Sequence, residues 1–183
     1  MKRHLIELPI STRDGQFIAR YSEKGLAELD FPNANCRRRG NESQIAANRD
    51  SSRRLLQIQK WHRLTTDALE NILAGKEPKK LPPLDWTGKT DFQKSVWRQM
   101  LKIPAGKTKS YGEIAQAVGK PKAVRAVGGA CGANPVPVLV PCHRVLAANK
   151  KLGGFSGGLD WKRKLLKREG VVLAIAPGNE YAA

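Results

Sequence analysis

Residues 110–131 read SYGEIAQAVGKPKAVRAVGGAC, and this stretch decides the architecture. Ser110 and Glu113 have the spacing of a capping box, which opens a short helix over 111–118. Gly119 closes it. After Lys120 and Pro121 a second short helix is predicted over roughly 122–131. Helix, tight glycine-containing turn, helix is the helix-turn-helix pattern. The second helix is unusual for that motif. A helix that reads bases in the major groove offers Arg, Asn or Gln at several positions. This one offers Arg125 among Ala123, Ala126, Gly128, Gly129 and Ala130, and each glycine weakens a helix by up to ~1 kcal/mol. A smooth helix with one arginine suits the narrower minor groove, with Arg125 as a wedge. It suits a close helix–helix contact inside a core equally well. Both readings are open on these residues.

Upstream, Thr90 and Gln93 form another capping box before a helix whose apolar face is Phe92, Val96, Trp97, Met100 and Leu101. Pro104 and Gly106 end it. Downstream, 135–140 is predicted to run extended into Pro141-Cys142-His143-Arg144. A glycine-rich loop, GGFSGG at 153–158, comes next, then a last helix over 159–169 stopped by Gly170. Towards the N-terminus, 75–88 (GKEPKKLPPLDWTG) contains three prolines and reads as a linker. Residues 55–74 have helical spacing, with Trp61, Leu64, Thr65, Ala68, Leu69 and Ile72 on one face. Residues 36–54 are polar and basic, and read as a loop. Strands are predicted at 17–21 and 26–31, joined by a turn at 22–25.

The expected division is therefore an N-terminal domain over 1–85, with a basic loop at about 36–54 and a linker at about 75–88, a C-terminal domain over 89–173, and a tail over 174–183. Lysine and arginine total 33 against 16 acidic residues, a net charge of +17. Such a surplus favours a polyanionic partner. No apolar run approaches ~18 residues, so no membrane span is expected. The N-terminal residues lack the apolar centre of a secretory signal. Three cysteines, Cys36, Cys131 and Cys142, are an odd number without CxxC spacing. That argues against a disulfide framework and for a reducing compartment. The expected location is cytoplasmic: nucleoid-associated in a prokaryote, nuclear in a eukaryote.

Cys142 follows an apolar run and precedes His143 and Arg144. A cysteine nucleophile needs a neighbouring base or positive charge to reach the thiolate. Adjacency to one histidine is a weak signal alone, because buried cysteines are usually inert packing.

Taken together, the runs RAVGGA at 125–130, Asn134-Pro135, PCHRV at 141–145, GFSGG at 154–158 and LLKREG at 165–170 resemble the O6-alkylguanine-DNA alkyltransferases. The resemblance covers about 90–170. It implies a mainly α, winged-helix-like C-terminal domain built on the helix-turn-helix. It also implies an α/β N-terminal domain, a ribonuclease-H-like antiparallel sheet with a helix. The implied activity is direct, irreversible transfer of an alkyl group from O6-alkylguanine in DNA to the protein, with O4-alkylthymine a further candidate. The implied partner is double-stranded DNA containing O6-alkylguanine, bound by a monomer without a cofactor.

The resemblance also assigns roles. Cys142 resembles the alkyl acceptor, and His143 the base that takes the thiol proton through a water. Glu169 resembles the carboxylate that orients this histidine, the nucleophile, base and orienter logic of hydrolytic triads. Asn134 matches an asparagine whose amide fixes the turn before the reactive loop. Tyr111 matches the tyrosine that donates to guanine N3. Arg125 resembles the arginine that fills the space of the extruded nucleotide, with Ala126 and Gly128 on the same DNA-facing helix. Phe155 and Ser156 belong to the loop facing O6, and the carbonyls of Cys142 and Val145 would read the exocyclic amine. Extrusion is a mechanical need, since a thiolate cannot reach the alkyl carbon inside the stack. Phe155 stands where members often carry tyrosine, and Cys131 where they carry a larger apolar residue; a packing role is the simpler one for Cys131. Some members hold zinc in the N-terminal domain. Here only His4, Cys36 and His62 are available there, at unsuitable spacing, so no metal is expected.

The nearest rival is a non-catalytic alkyltransferase-like damage-binding protein. Such proteins replace the cysteine, and Cys142 argues against that reading. A transcription regulator would need more base-reading side chains on its second helix. A cysteine hydrolase would leave that helix unexplained.

Overall fold

The computed structural model describes residues 5–32 and 49–173, without the side chains of 49–51. Cys36, His4, most of the basic loop and the 174–183 tail lie outside the described residues. The two capping boxes are present. Thr90 caps α2 (Asp91–Met100) and Ser110 caps α3 (Tyr111–Ala117), each accepting from the backbone N–H three residues on. α4 (Val124–Gly132) completes the helix-turn-helix. Trp97 of α2 is fully buried and its indole N–H donates to the Ala130 carbonyl at 2.8 Å. That bond fixes α4 against α2.

The N-terminal part is a three-stranded antiparallel sheet in the order β1 (Ile6–Thr12), β2 (Gly15–Tyr21), β3 (Leu26–Asp30). Alternation places Phe17, Ala19 and Tyr21 inwards. α1 (Arg49–Leu73) covers the sheet with Ile58, Thr65, Ala68, Leu69 and Ile72. A short parallel pair joins β4 (Lys109–Ser110) to β5 (Val145–Leu146). α5 (Leu159–Arg168) closes the chain. The α/β N-terminal part and the helical C-terminal part are thus as expected.

Two local expectations fail. The helix begins at Arg49, so residues 49–54 are helical rather than loop. Residues 49–54 are RDSSRR: arginine is a good helix former, serine and aspartate suit a first turn, and the helix they extend is anchored by the buried Ile58. The 135–140 run is folded, not extended. Asn134 Oδ1 accepts from the Val136 N–H at 3.1 Å, and the Val140 N–H bonds the Val136 carbonyl at 3.0 Å. Val138 sits at φ 73°. A β-branched residue there costs about 1–3 kcal/mol, a strain the fully buried side chain holds in place. A 3₁₀ turn over Cys142–Arg144 follows.

The hairpin between β1 and β2 is clamped to the end of α5. Asp14, nearly inaccessible, meets Lys164 at 2.6 Å and Arg168 at 2.6 and 2.9 Å. The Arg168 hydrogen bond holds the Asp14 carboxyl far below its ordinary range. A depressed folded-state pKa stabilises above the unfolded value and is lost as pH falls through the folded one. Both cations remain partly exposed. Asp14→Asn should therefore cost about 1–2 kcal/mol at neutral pH. The gap in melting temperature from the parent should close as pH falls below the ordinary aspartate range. A constant gap across that range would refute the assignment.

Candidate active site

Cys142 is 4% exposed and lines a cleft of about 590 Å³ together with Tyr111, Arg125, Gly128, Phe155 and Ser156. Asn134 donates from Nδ2 to the Val140 carbonyl at 2.9 Å and to Cys142 Sγ at 3.3 Å. One side chain therefore folds the 134–140 turn and contacts the thiol. Burial pushes the Cys142 pKa up, and the Asn134 bond and the Lys162 charge oppose that only in part.

The two residues that follow Cys142 belong to a buried chain of polar groups. His143 Nε2 and Glu169 Oε1 are 2.9 Å apart, with both side chains essentially inaccessible. Glu169 also accepts from Arg144 Nε and Nη2 at 2.8–3.1 Å. Burial works against the Glu169 carboxylate, but the bonds from His143 and Arg144 together outweigh it, and its pKa is lowered. An ionised Glu169 makes Nε2 the donor nitrogen of His143. Nδ1 is then the basic nitrogen; it is buried and has no hydrogen-bond partner among the described residues. Burial lowers the His143 pKa, so the imidazole stays neutral.

The outer rim is α4. Arg125 and Ala126 are exposed there, while Val127, Ala130 and Cys131 face the core. A Cβ built at Gly128, Gly129 or Gly132 would meet nothing within 4 Å. These glycines are therefore not demanded by helix–helix packing, and the smooth face points outwards. Cys131 is buried, with its thiol 3.6 Å from Met100 Sδ, and burial pushes its pKa up to about 12.

Over 168 residues, the chain is 40% identical to "Methylated-DNA--protein-cysteine methyltransferase" of Methanosarcina barkeri, covering 90% of this chain and 94% of that protein. This chain belongs to the methylated-DNA–protein-cysteine methyltransferase family. Residues 91–171 match the family model described as 6-O-methylguanine DNA methyltransferase, DNA binding domain. A crystal structure of "Mycobacterium tuberculosis OGT in complex with DNA" is 36% identical with a TM-score of 0.64, over 88% of this chain and 90% of that one. A second Methanosarcina relative of the same name, from Methanosarcina acetivorans, is 58% identical over 81 residues, 44% of this chain and 52% of that protein.

Lys162 escaped the sequence reading of this methyltransferase, and Arg144 entered it only as a neighbour of Cys142 with no assigned role. Lys162 is fully buried, and its ammonium donates to the carbonyls of Val145 at 2.7 Å, Leu152, and Gly154 at 3.5 Å. Burial lowers its pKa to about 8. Val145 does not line the cleft directly, and its carbonyl is already engaged by this lysine. Arg144, also buried, bonds the Ile103 carbonyl at 2.6 Å and Glu77 at 3.2 Å besides Glu169. Lysine in an amphipathic terminal helix ordinarily reads as solvated. The available signal was its phase, one turn before the apolar Leu165 and Leu166. No helix among the described residues is long and apolar enough to cross a membrane.

Proposed function

We propose that Cys142 is the cysteine that takes the methyl group in this DNA-repair methyltransferase, and that His143 and Glu169 prepare it. The buried Glu169–His143 pair, set beside a cysteine in an open cleft, carries this reading. His143 Nδ1 receives the thiol proton through a bridging water. The thiolate then attacks the alkyl carbon in line, an S–C bond forms, and the C–O6 bond breaks. Its electron pair leaves on the purine, and Tyr111 donates towards N3 so that guanine departs neutral. Burial, and secondarily the neighbouring thiols, raise the Tyr111 pKa, which keeps that hydroxyl protonated. The product thioether has no leaving group to return, so each molecule acts once.

O6-alkylguanine reaches the cleft extrahelically, because in-line attack inside the stack is blocked. The outward glycine face of α4 allows close approach to the minor groove, with Arg125 in the space of the missing base and Ala126 and Gly128 against the sugar–phosphate edge. Phe155 stacks on the base, the Ser156 backbone N–H faces O6, and the Cys142 carbonyl faces the exocyclic amine, while the Val145 carbonyl stays with Lys162. Asn134 holds the reactive turn. Residues 89–173 carry both binding and transfer, with 1–85 behind them. All of these groups come from one chain, which supports action as a monomer on double-stranded DNA.

The test is incubation with a duplex carrying one O6-methylguanine, then intact mass and peptide mapping. One methyl group on Cys142 is the expected result. Methylation mapping to Cys131 or Cys36, or folded protein that gains nothing, would overturn the assignment.

A further inference from the structure

The glycine-rich loop over 153–158 supplies Gly154, Phe155 and Ser156 to the cleft. Two of its contacts lie within the C-terminal part: Lys162 bonds the Leu152 and Gly154 carbonyls, and Gly153 lies under the Tyr111 hydroxyl. Another comes from the N-terminal sheet. Phe31, just past the end of β3, is buried, and its ring meets Phe155 edge-on at 5.6 Å between centroids. The same ring is braced from behind by Phe17 at 5.7 Å and Trp161 at 5.1 Å, which also touch each other. Phe155 in turn stands edge-on to His143 at 6.5 Å.

Gly157 reports how closely this wall fits. A Cβ there would lie 2.5–2.8 Å from three carbons of the Phe31 ring. Gly157 is not among the positive-φ glycines, so its backbone would accept alanine. The ring, not the backbone, demands glycine. Phe31 cannot yield easily, because Phe17 and Trp161 hold its other side.

We propose that Phe31 is a positioning residue for methyl transfer: the N-terminal sheet sets, through this ring, where Phe155 and Ser156 stand against the base. This rests on the reading that the 153–158 loop holds the extruded guanine. A reacting pair misplaced by about 1 Å loses rate up to about 10²-fold without losing contact. The role therefore acts on the chemical step rather than on DNA affinity.

The experiment is single-turnover methyl transfer from an O6-methylguanine duplex, measured over a range of DNA concentrations on the full chain, with thermal melts of every variant. Gly157→Ala should lower the saturating rate by about 10–100-fold, with half-saturation unchanged. Phe31→Leu should lower it by about tenfold. The double variant Phe31→Leu, Gly157→Ala should be faster than Gly157→Ala alone, because the smaller side chain makes room for the methyl group. This inversion of additivity is the signature of direct contact. An unaltered rate in Gly157→Ala overturns the assignment of the loop to the base. A slow Gly157→Ala that Phe31→Leu leaves slow or slows further overturns the role of Phe31 alone. Should Gly157→Ala fail to fold, an unaltered saturating rate in Phe31→Leu overturns it equally.

Discussion

His143→Gln should slow methyl transfer by roughly 10²–10⁴-fold, the usual contribution of a positioned base, while DNA affinity should stay close to that of the parent. The reason lies in opposed effects of burial. Burial raises the Cys142 pKa and lowers that of His143. The thiol therefore does not ionise unaided at neutral pH, and the imidazole is unprotonated and ready to accept. In the parent the rate should be flat through neutral pH. It should fall only below the ordinary imidazole range, as the lowered pKa is reached and Nδ1 is occupied by a proton. In His143→Gln no base remains, and the rate should rise about tenfold per pH unit with the thiolate fraction. Glu169→Gln should lose rate in a similar range, since the neutral amide no longer stabilises the imidazolium. It should also melt earlier, because Arg144 then keeps a buried charge with one carboxylate fewer. Single-turnover rates across pH decide the matter. A parent profile that climbs with slope one through neutrality, or a variant profile that stays flat, removes the relay.

The second large effect belongs to Arg125, and it should appear on one substrate only. Arg125 is exposed on α4 at the mouth of the cleft. No ion pair involving it is seen among the described residues, so Arg125→Ala should leave the melting temperature unchanged. On an O6-methylguanine duplex, extrusion costs a few kcal/mol, and in the proposed role the Arg125 guanidinium would offset part of it. Repair should slow by about 10–100-fold, at 1.4 kcal/mol per decade. Reaction with free O6-benzylguanine, which needs no extrusion, should change by less than about twofold. Equal losses on both substrates would move Arg125 from the stack into the pocket.

Much of this was legible in the sequence because local rules agreed with the final fold. Thr90, Ser110 and Gly119 are helix punctuation whose physics acts over three or four residues, and all three do what their spacing says. The catalytic candidates were legible for another reason: PCHRV and LLKREG resemble a family, and the fold joins their His143 and Glu169, 26 positions apart. What stayed hidden depends on distant partners. Periodicity cannot say that Lys162 turns inwards, since the carbonyls that accept from it arrive from a loop and a strand. Nor could it separate an extended 135–140 from a turn, because the turn is made by the Asn134 amide reaching forward to Val140. The two readings of α4 were divided by geometry that no residue name carries, namely open space beside Gly128 and Gly129.

The clamp at Asp14 bears on how the molecule can be taken apart. Asp14, Phe31 and Glu77 all lie before residue 91, where the family match begins. Yet they grip Lys164 and Arg168, the Phe155 and Trp161 rings, and Arg144 with the Ala105 N–H. A fragment trimmed to 91–171 would shed one carboxylate from each cationic site and bare an aromatic face. As a reagent, the chain is therefore one indivisible part. A shortened version would have to be redesigned along its whole inner seam.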